Sequence, residues 1–367
     1  MRAVGALMVV LTHVGFQSGT TTTSAFGPLL ARLDVGVAVF FVISGFLLFR
    51  PHAVAHLART RRPRTRSYFL HRALRILPVA WLATGLAAVL APTKGAPLSA
   101  YLEHATLIHI YVSEQFLVGL TQMWSLATEV AFYVALPVIA LVLCRGRRDA
   151  AWVWRVMGIC AVAVLASPIW MAVNHDQPQA RLWLPGFLGW FALGMLLAAW
   201  QVGRELGLLR PSAAEAIAAR PGTAWALAAA VLVIATSPVA GPYGLEEPTA
   251  AEAAFKSLAY GLVGFFIVVP AIVPSRSTTV GILLGGPVAK YLGSISYGVF
   301  AYHVIVLALI DEHTGLGVFT GHFWERLGLT LVLTIPLASA SFYWLERPVM
   351  RWGRRRVSRG SKVVSAS

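Results

Sequence analysis

Residues 35–49 read VGVAVFFVISGFLLF, a continuous apolar run that stops at Arg50. Such runs are typical of helices that cross a bilayer, whose hydrocarbon core of roughly 30 Å takes about 20 mainly apolar residues. Ten segments of the chain qualify, at residues 1–16, 35–49, 76–92, 124–144, 152–173, 183–200, 223–240, 255–274, 289–311 and 324–345. The first begins like a secretory signal peptide, but His13 interrupts it and no small-residue cleavage pattern follows. We therefore expect a retained helix whose natural start lies a few residues upstream.

The composition agrees with a membrane protein. Of the 367 residues, 57% are hydrophobic and 12% are charged, and the mean hydropathy is +0.71. A soluble domain carries about 25% charged residues, so this composition excludes the soluble, disordered, collagen-like and coiled-coil classes. Two cysteines, Cys144 and Cys160, exclude a disulfide framework and a multi-cysteine metal site. No metal site is predicted.

The basic residues predict the orientation of the chain. Thirty Lys and Arg residues against 15 Asp and Glu residues give a net charge of +15. This excess indicates either nucleic-acid binding or short cytoplasmic loops. With the N-terminus inside, five of the 30 cations fall outside, namely Arg32, Lys94, Arg181, Lys256 and Arg326. The other 25, including Arg276, fall inside, as the positive-inside rule requires.

The predicted fold is therefore all-α, a polytopic bundle of about ten transmembrane helices in the cell membrane with both termini cytoplasmic. Residues 1–346 form one transmembrane domain, and residues 347–367 form a mobile basic tail near anionic lipid headgroups. Because topology explains the positive charge, membrane lipids are expected partners and nucleic acid is not. The sequence carries no signal for an oligomeric state.

Ionisable groups inside a membrane span are costly, so each is a candidate for function. Arg2 and His13 are eleven residues apart, which places both on one helix face roughly 16 Å apart along the axis. The ordinary pKa of histidine, about 6.5, suits a general base near neutral pH. Alternatively, Arg2 only sets topology and His13 forms a hydrogen bond between helices.

The fourth segment carries a polar stripe. Ser125, Glu129 and Tyr133 follow Trp124 at a spacing of four residues, so they share one face. Glu129 is a candidate to orient a histidine or to accept a proton. The alternative is a structural clamp of three hydrogen-bonded side chains.

Two further clusters precede and follow this stripe. Arg72 and Arg75 end the inner loop that starts at Arg50, and their one-turn spacing suits a phosphate, although lipid phosphate is an alternative. Ser296 and His303 are seven residues apart and share a face. Small residues around Ser296 also permit a purely structural contact between helices.

Taken in order, these motifs resemble acyltransferase family 3, a family of integral membrane O-acyltransferases. The resemblance spans nearly the whole chain and rests on Arg2-x10-His13, Gly36-Val37-x-x-Phe40-Phe41-Val42-Ile43-Ser44-Gly45-Phe46, Arg72-x-x-Arg75-x-x-Pro78, Trp124-Ser125-Leu126-x-x-Glu129-x-x-Phe132-Tyr133, Gly293-x-Ile295-Ser296-Tyr297 with His303, and Glu346-x-Pro348. Each motif is weakly specific, whereas the ordered set is specific.

The resemblance implies an enzyme that moves an acyl group from cytoplasmic acyl-CoA, expected to be acetyl-CoA, to a hydroxyl, with no bound cofactor. It implies that His13 is catalytic with Arg2 and Glu129, and that Arg72 and Arg75 bind the donor. Further motif residues are Ser44, Trp124, Ser125, Tyr133, Ser296, Tyr297, His303 and Glu346. The chain departs from the family in having Met1 directly before Arg2. It also has Ala38 where an acid is usual, with Asp34 as a candidate substitute.

The expected acceptor is a sugar, an envelope glycan, a lipid-linked saccharide or a glycosylated natural product. Outer loops 101–115 and 243–252 are rich in aromatic and acidic residues that suit sugars, or they form ordinary interfacial belts. His13 either deprotonates the hydroxyl or carries the acyl group itself. The rival interpretation is a proton-coupled transporter or flippase for a polar or lipid-linked solute.

Overall fold

The structure, a computed structural model, describes residues 1–112, 116–212, 215, 220–273 and 285–363, with side chains described as far as residue 355. Helices and turns make up the described chain. The principal helices are α1 (Arg2–Gln17), α2 (Gly36–Leu57), α3 (Thr65–Leu90), α4 (Met123–Leu143), α5 (Ala150–Val173), α6 (Leu184–Glu205), α7 (Pro221–Ala235), α8 (Ala250–Ile272), α9 (Pro287–His313), α10 (Phe323–Ser341) and α11 (Arg347–Val363). Short helices at Thr20–Thr23, Gly27–Arg32, Leu98–Ala105, His109–Val112 and Pro178–Arg181 connect them.

The all-helical prediction is confirmed, and the described chain has eight helices long and apolar enough to cross a membrane. These are α2 to α6 and α8 to α10. Helices α1 and α7 are apolar as well but shorter, with 16 and 15 residues. All ten predicted segments therefore correspond to an apolar helix, eight of them of spanning length.

Two predicted boundaries at the basic loop are wrong. Helix α2 continues past Arg50 to Leu57, and α3 already begins at Thr65, so Arg72 and Arg75 lie inside a helix and not in a loop. Backbone hydrogen bonding does not require apolar side chains, and long basic side chains can extend from a helix to the membrane surface. Hydropathy therefore locates the membrane core but not the helix end. Arg276 lies outside the described residues.

Contacts among helix ends and loops define two ends of the bundle. At the basic end, Arg50 of α2 pairs with Glu205 of α6 at 2.7 Å. At the opposite end, the backbone N–H of Phe319 donates to the carbonyl oxygen of Gln17 at 2.8 Å, and the Arg326 guanidinium pairs with Asp311. Successive long helices run between these two ends in alternating directions.

Helices α2 and α6 pack unusually closely. Gly45 of α2 lies against the carbonyl oxygen of Phe191, and Gly194 of α6 lies against the carbonyl oxygen of Val42, so neither position has room for a methyl group. The Phe191 ring also stacks on the ring of Phe132 in α4, with centroids 4.0 Å apart. This packing brings α4 beside α2.

The C-terminal tail is helical where the sequence predicted a mobile stub. A π-helical turn at Phe342–Glu346 joins α10 to α11, which runs from Arg347 to Val363. Gly353 of α11 lies directly against the Leu74 side chain of α3. Arg2 lines a cavity together with Arg75, the neighbour of Leu74. The start of α1 and the start of α11 therefore lie at the same, basic end.

Candidate active site

Two histidines from distant parts of the chain meet between α1 and α9. The Nδ1 atom of His13 lies 3.3 Å from the Nε2 atom of His303, which is fully buried. Each Nδ1 atom also contacts a carbonyl oxygen of its own helix, that of Val9 for His13 and that of Phe300 for His303, both at 2.8 Å. Because carbonyl oxygens only accept hydrogen bonds, both protons lie on Nδ1. His13 Nε2 is therefore the nitrogen that can take a proton.

His13 lines a cavity of about 500 Å³ that extends to loops at the opposite end of the bundle. A neighbouring cavity of about 380 Å³ shares part of its wall, including Asp34, Lys256 and Trp124. We call these two cavities together the vestibule. Its wall combines apolar side chains with charged ones, among them Arg32, Asp34 and Lys256.

Below the vestibule lies a central chamber of about 50 Å³. It is lined by eight of the residues selected from the sequence, namely Arg2, Ser44, Arg75, Ser125, Glu129, Tyr133, Ser296 and Tyr297. These residues come from α1, α2, α3, α4 and α9. The structure therefore gathers motifs that are up to 295 residues apart in the sequence around one small space.

Glu129 is bonded differently from the sequence prediction. Its Oε1 atom accepts from the Ser44 hydroxyl at 2.5 Å and from the Tyr133 hydroxyl at 2.8 Å. The Ser125 hydroxyl donates instead to the carbonyl oxygen of Gln122. His13 contacts His303 and the carbonyl oxygen of Val9, and Glu129 contacts Ser44 and Tyr133, so a catalytic role for Glu129 stays a prediction. Position along a helix could not reveal which neighbouring helix supplies the partner.

A third cavity, of about 460 Å³, opens at the basic end beside α2 and α3. We call it the basic cavity, because its lining includes Arg61, Arg64 and Arg72. The Arg72 guanidinium carbon lies 5.8 Å from the centre of the Tyr133 ring, and its buried Nε atom has no hydrogen-bond partner. Arg72 thus faces the basic cavity while Arg75, one turn further along, faces the central chamber.

The remaining predicted residues surround these spaces. Trp124 forms part of the vestibule wall and packs on Phe187, with ring centroids 5.1 Å apart. The Tyr297 hydroxyl donates to the carbonyl oxygen of Ile76 at 3.0 Å and so ties α9 to α3. Glu346 is buried in the π-helical turn, and its Oε1 atom has no hydrogen-bond partner.

Sequence reasoning missed most of the vestibule. Asp34 pairs with Lys256 at 3.0 Å and accepts a hydrogen bond from the Tyr260 hydroxyl. The sequence offers Asp34 as a candidate acid, but no feature of the sequence links Asp34 to α8. Ala38 is fully buried where Gly264 of α8 approaches, so a larger side chain would not fit there.

Comparison with known proteins places this arrangement in a family. A family model described as an acyltransferase domain, that of acyltransferase family 3, matches residues 1–343. The exopolysaccharide production protein ExoZ of Rhizobium meliloti (strain 1021) is 28% identical over 89% of this chain and 92% of its own length. Nodulation protein 10 of Rhizobium leguminosarum bv. viciae is 26% identical over 90% of this chain and 85% of its own length.

A further relative is YrhL of Bacillus subtilis (strain 168), whose name provisionally describes a peptidoglycan O-acetyltransferase. It is 26% identical over 98% of this chain, and the chain spans 55% of YrhL. No solved structure matches the chain. These relatives favour an enzyme over the transporter or flippase interpretation. The protein is a multi-pass membrane O-acyltransferase, and the chain belongs to acyltransferase family 3.

Proposed function

We propose that the protein transfers an acyl group from acyl-CoA in the basic cavity to a saccharide hydroxyl in the vestibule. The observation that carries the proposal is that the basic cavity, the central chamber and the vestibule follow one another from one end of the bundle to the other. Arg72 and Tyr68 line the basic cavity, and the Tyr68 hydroxyl donates to the carbonyl oxygen of Tyr133 in the wall of the central chamber. The central chamber and the vestibule in turn share Val37, Ser125 and Phe300.

The topology follows from the charge distribution. All ten apolar helices cross the membrane, α1 and α7 included, and both termini are cytoplasmic. This orientation places the basic cavity in contact with the cytoplasm, where acyl-CoA is made available, and the vestibule on the outer side. The same orientation leaves Arg181, Lys256 and Arg326 outside, in agreement with the positive-inside rule.

Coenzyme A carries several phosphates, and the basic cavity supplies guanidinium groups to hold them. Arg72 lines this cavity together with Arg61 and Arg64. Charge-assisted hydrogen bonds from arginine to phosphate are among the strongest that proteins form. Arg75 and Arg2 line the next space inward and face Glu129 there. The donor is acetyl-CoA, in line with the O-acetyltransferase names among the relatives.

His13 performs the proton transfer. Its Nε2 atom takes the proton of the acceptor hydroxyl while the hydroxyl oxygen attacks the thioester carbonyl. The carbon–sulfur bond then breaks, and the proton passes from His13 to the thiolate of coenzyme A. In the covalent alternative, His13 Nε2 attacks the thioester first and the acyl-imidazole then passes its acyl group to the hydroxyl.

The acceptor is a carbohydrate. The relatives' names refer to exopolysaccharide production and to peptidoglycan. The vestibule offers Asp34, Lys256 and Gln122 for hydroxyl groups and the Trp124 ring as an apolar surface. Its charged and amide side chains suit a polyhydroxylated molecule.

The test uses purified protein with isotopically labelled acetyl-CoA and saccharides from the bacterial envelope as acceptors. We expect label on the saccharide and an equal release of coenzyme A. His13→Ala should lower the transfer rate by about 10²- to 10⁴-fold, because the general base is removed. His175→Ala, at a loop histidine outside all three cavities, is the matched control. Full activity of the folded His13→Ala protein would contradict the proposal.

A further inference from the structure

Two phenylalanine rings lie where the central chamber meets the vestibule. Phe300 lines both spaces, and Phe40 lines the central chamber. Their ring centroids are 5.7 Å apart with an interplanar angle of 69°, an edge-to-face contact. Val37 and Ser125 complete the shared wall.

Phe40 is held by close packing against α1, and Phe300 is buried beside His303. Phe40 lies against Gly5 of α1, where an added methyl group would be 3.3 Å from the ring and 3.0 Å from the carbonyl oxygen of Gly36. Phe300 is 5% exposed and lies one turn before His303, with the two ring centroids 6.1 Å apart. Phe40 therefore packs on α1, which carries His13, and Phe300 belongs to α9, which carries His303.

The two spaces on either side of this wall differ in volume. The central chamber, about 50 Å³, has room for roughly four water-sized groups, whereas the vestibule cavity at His13 measures about 500 Å³ and extends to the loops. An open cavity of that size with charged and amide side chains in its wall holds many waters. Because Phe300 lines both spaces and Phe40 packs on it, the two rings stand between an acyl thioester in the central chamber and part of the vestibule.

We propose that Phe40 and Phe300 form an aromatic partition that makes the enzyme choose a saccharide hydroxyl over water. This inference rests on the proposed function. Water is a competing acceptor, since its attack on the thioester carbonyl breaks the carbon–sulfur bond and yields acetate, a proton and the thiol of coenzyme A. The closed partition keeps water from the thioester, and displacement of the Phe300 ring exposes the thioester to His13.

The first experiment measures release of coenzyme A from acetyl-CoA in the absence of saccharide. Phe300→Ala and Phe40→Ala should each raise this hydrolysis about tenfold over wild type, because water is no longer excluded. Phe300→Tyr, which keeps the ring, should restore the low wild-type rate. Phe265→Ala, in a groove lined by α5, α6, α7 and α8, is the matched control and should behave as wild type. A merely structural defect would lower hydrolysis and transfer together.

The second experiment needs neither donor nor acceptor. In liposomes with an internal pH-sensitive dye, an imposed proton gradient should decay faster with Phe300→Ala than with wild type or Phe265→Ala. Unchanged hydrolysis and unchanged proton leak in the folded Phe300→Ala protein would overturn the partition. If wild type fails to use acetyl-CoA at all, the proposed function fails, and the leak measurement still decides whether the rings seal the two spaces.

Discussion

His303 determines how His13 can act. The contact between His13 Nδ1 and His303 Nε2, at 3.3 Å, adds to the bond from His13 to the carbonyl oxygen of Val9. Together they keep the His13 proton on Nδ1 and the ring in one orientation. The proposed proton transfer at His13 Nε2 is favoured by both constraints, because the other tautomer would present a proton where a lone pair is needed.

Replacing His303 tests this dependence. His303→Ala should lower the turnover number by about 10- to 100-fold and leave the KM for acetyl-CoA unchanged, because it acts through His13 and not on the donor. His303→Gln, whose amide oxygen can accept from His13, should recover part of the rate. His313→Ala, at the exposed end of the same helix, serves as the control in the same steady-state assay. A large change in KM with a constant turnover number would assign His303 to donor binding instead.

The individual polar residues could be predicted from the sequence, but their partners could not. Helical spacing correctly placed Glu129 and Tyr133 in contact, since both lie on α4. The contacts between Ser44 and Glu129 and between His13 and His303 join residues 85 and 290 positions apart. A single sequence contains no periodicity that relates such positions, because they are set by how separate helices pack.

At the scale of elements, the closest helix packing is between α2 and α6. Gly45 and Gly194 each face a carbonyl oxygen of the other helix, so the two backbones touch without side chains between them. Small residues allow this approach in membrane bundles, where dispersion forces stabilise helix pairs. Since α2 also carries Ser44 and Phe40, this contact positions part of the wall of the central chamber.

Alanine substitutions of glycines should separate the effect of backbone packing on stability from the effect of helix propensity. Gly45→Ala or Gly194→Ala forces the two backbones apart and should destabilise the protein by about 1–3 kcal/mol. Gly85→Ala and Gly158→Ala, where a methyl group meets no atom within 4 Å, should be neutral or stabilise by up to about 1 kcal/mol. Thermal or denaturant unfolding in detergent measures the difference. Equal stability of all four variants would show that the α2–α6 approach is loose.

A second element-scale prediction concerns the short helices Leu98–Ala105 and His109–Val112. His104 and His109 are buried and stacked, with ring centroids 4.0 Å apart, and three of their four ring nitrogens have no hydrogen-bond partner. Burial lowers the pKa of both rings, and together with the neighbouring His104 it lowers the pKa of His109 to about 3. The unfolded segment, with an ordinary pKa of about 6.5, binds more protons than the folded one between these values.

The stability of this segment should therefore be complete above about pH 6.5 and fall as the pH drops toward 3. Hydrogen-exchange protection factors across the described residues 98–112, which correct the rates for the intrinsic pH dependence of amide exchange, should fall on acidification from pH 7 to pH 4. In a His104→Phe/His109→Phe protein, which keeps aromatic packing without titratable groups, the pH dependence should flatten. Equal pH dependence in both proteins would show that other groups cause it.

Helix existence was predictable throughout, whereas helix ends were not. Each predicted segment has its helix because the apolar runs are long and separated by polar loops. The predictions failed where a helix continues beyond the membrane core, as at Arg50, at Thr65 and after Glu346. Hydropathy reports contact with lipid, while a helix ends where its backbone hydrogen bonding ends.

For the whole molecule, the distribution of charge and the positions of the cavities indicate the same orientation in the membrane. The basic cavity and the start of α1 lie at one end, and the vestibule opens toward loops at the other. The positive-inside rule assigns the first end to the cytoplasm. Coenzyme A is too highly charged to cross a bilayer unaided. In the proposed function, a donor confined to one side and an envelope saccharide on the other would meet only through the protein.

Sidedness is therefore the decisive prediction for the whole molecule. In sealed vesicles, protease should remove tags from both termini on the same face. Acetyl-CoA should support transfer only when it is added on that face, with saccharide on the opposite face. Arg72→Ala should weaken the response to the donor, because one phosphate contact is lost, and Arg59→Ala, in the exposed loop outside the basic cavity, should not. If acetyl-CoA acts only from the face opposite the termini, the basic cavity does not receive the donor, and the excess of arginine at that end reports topology alone.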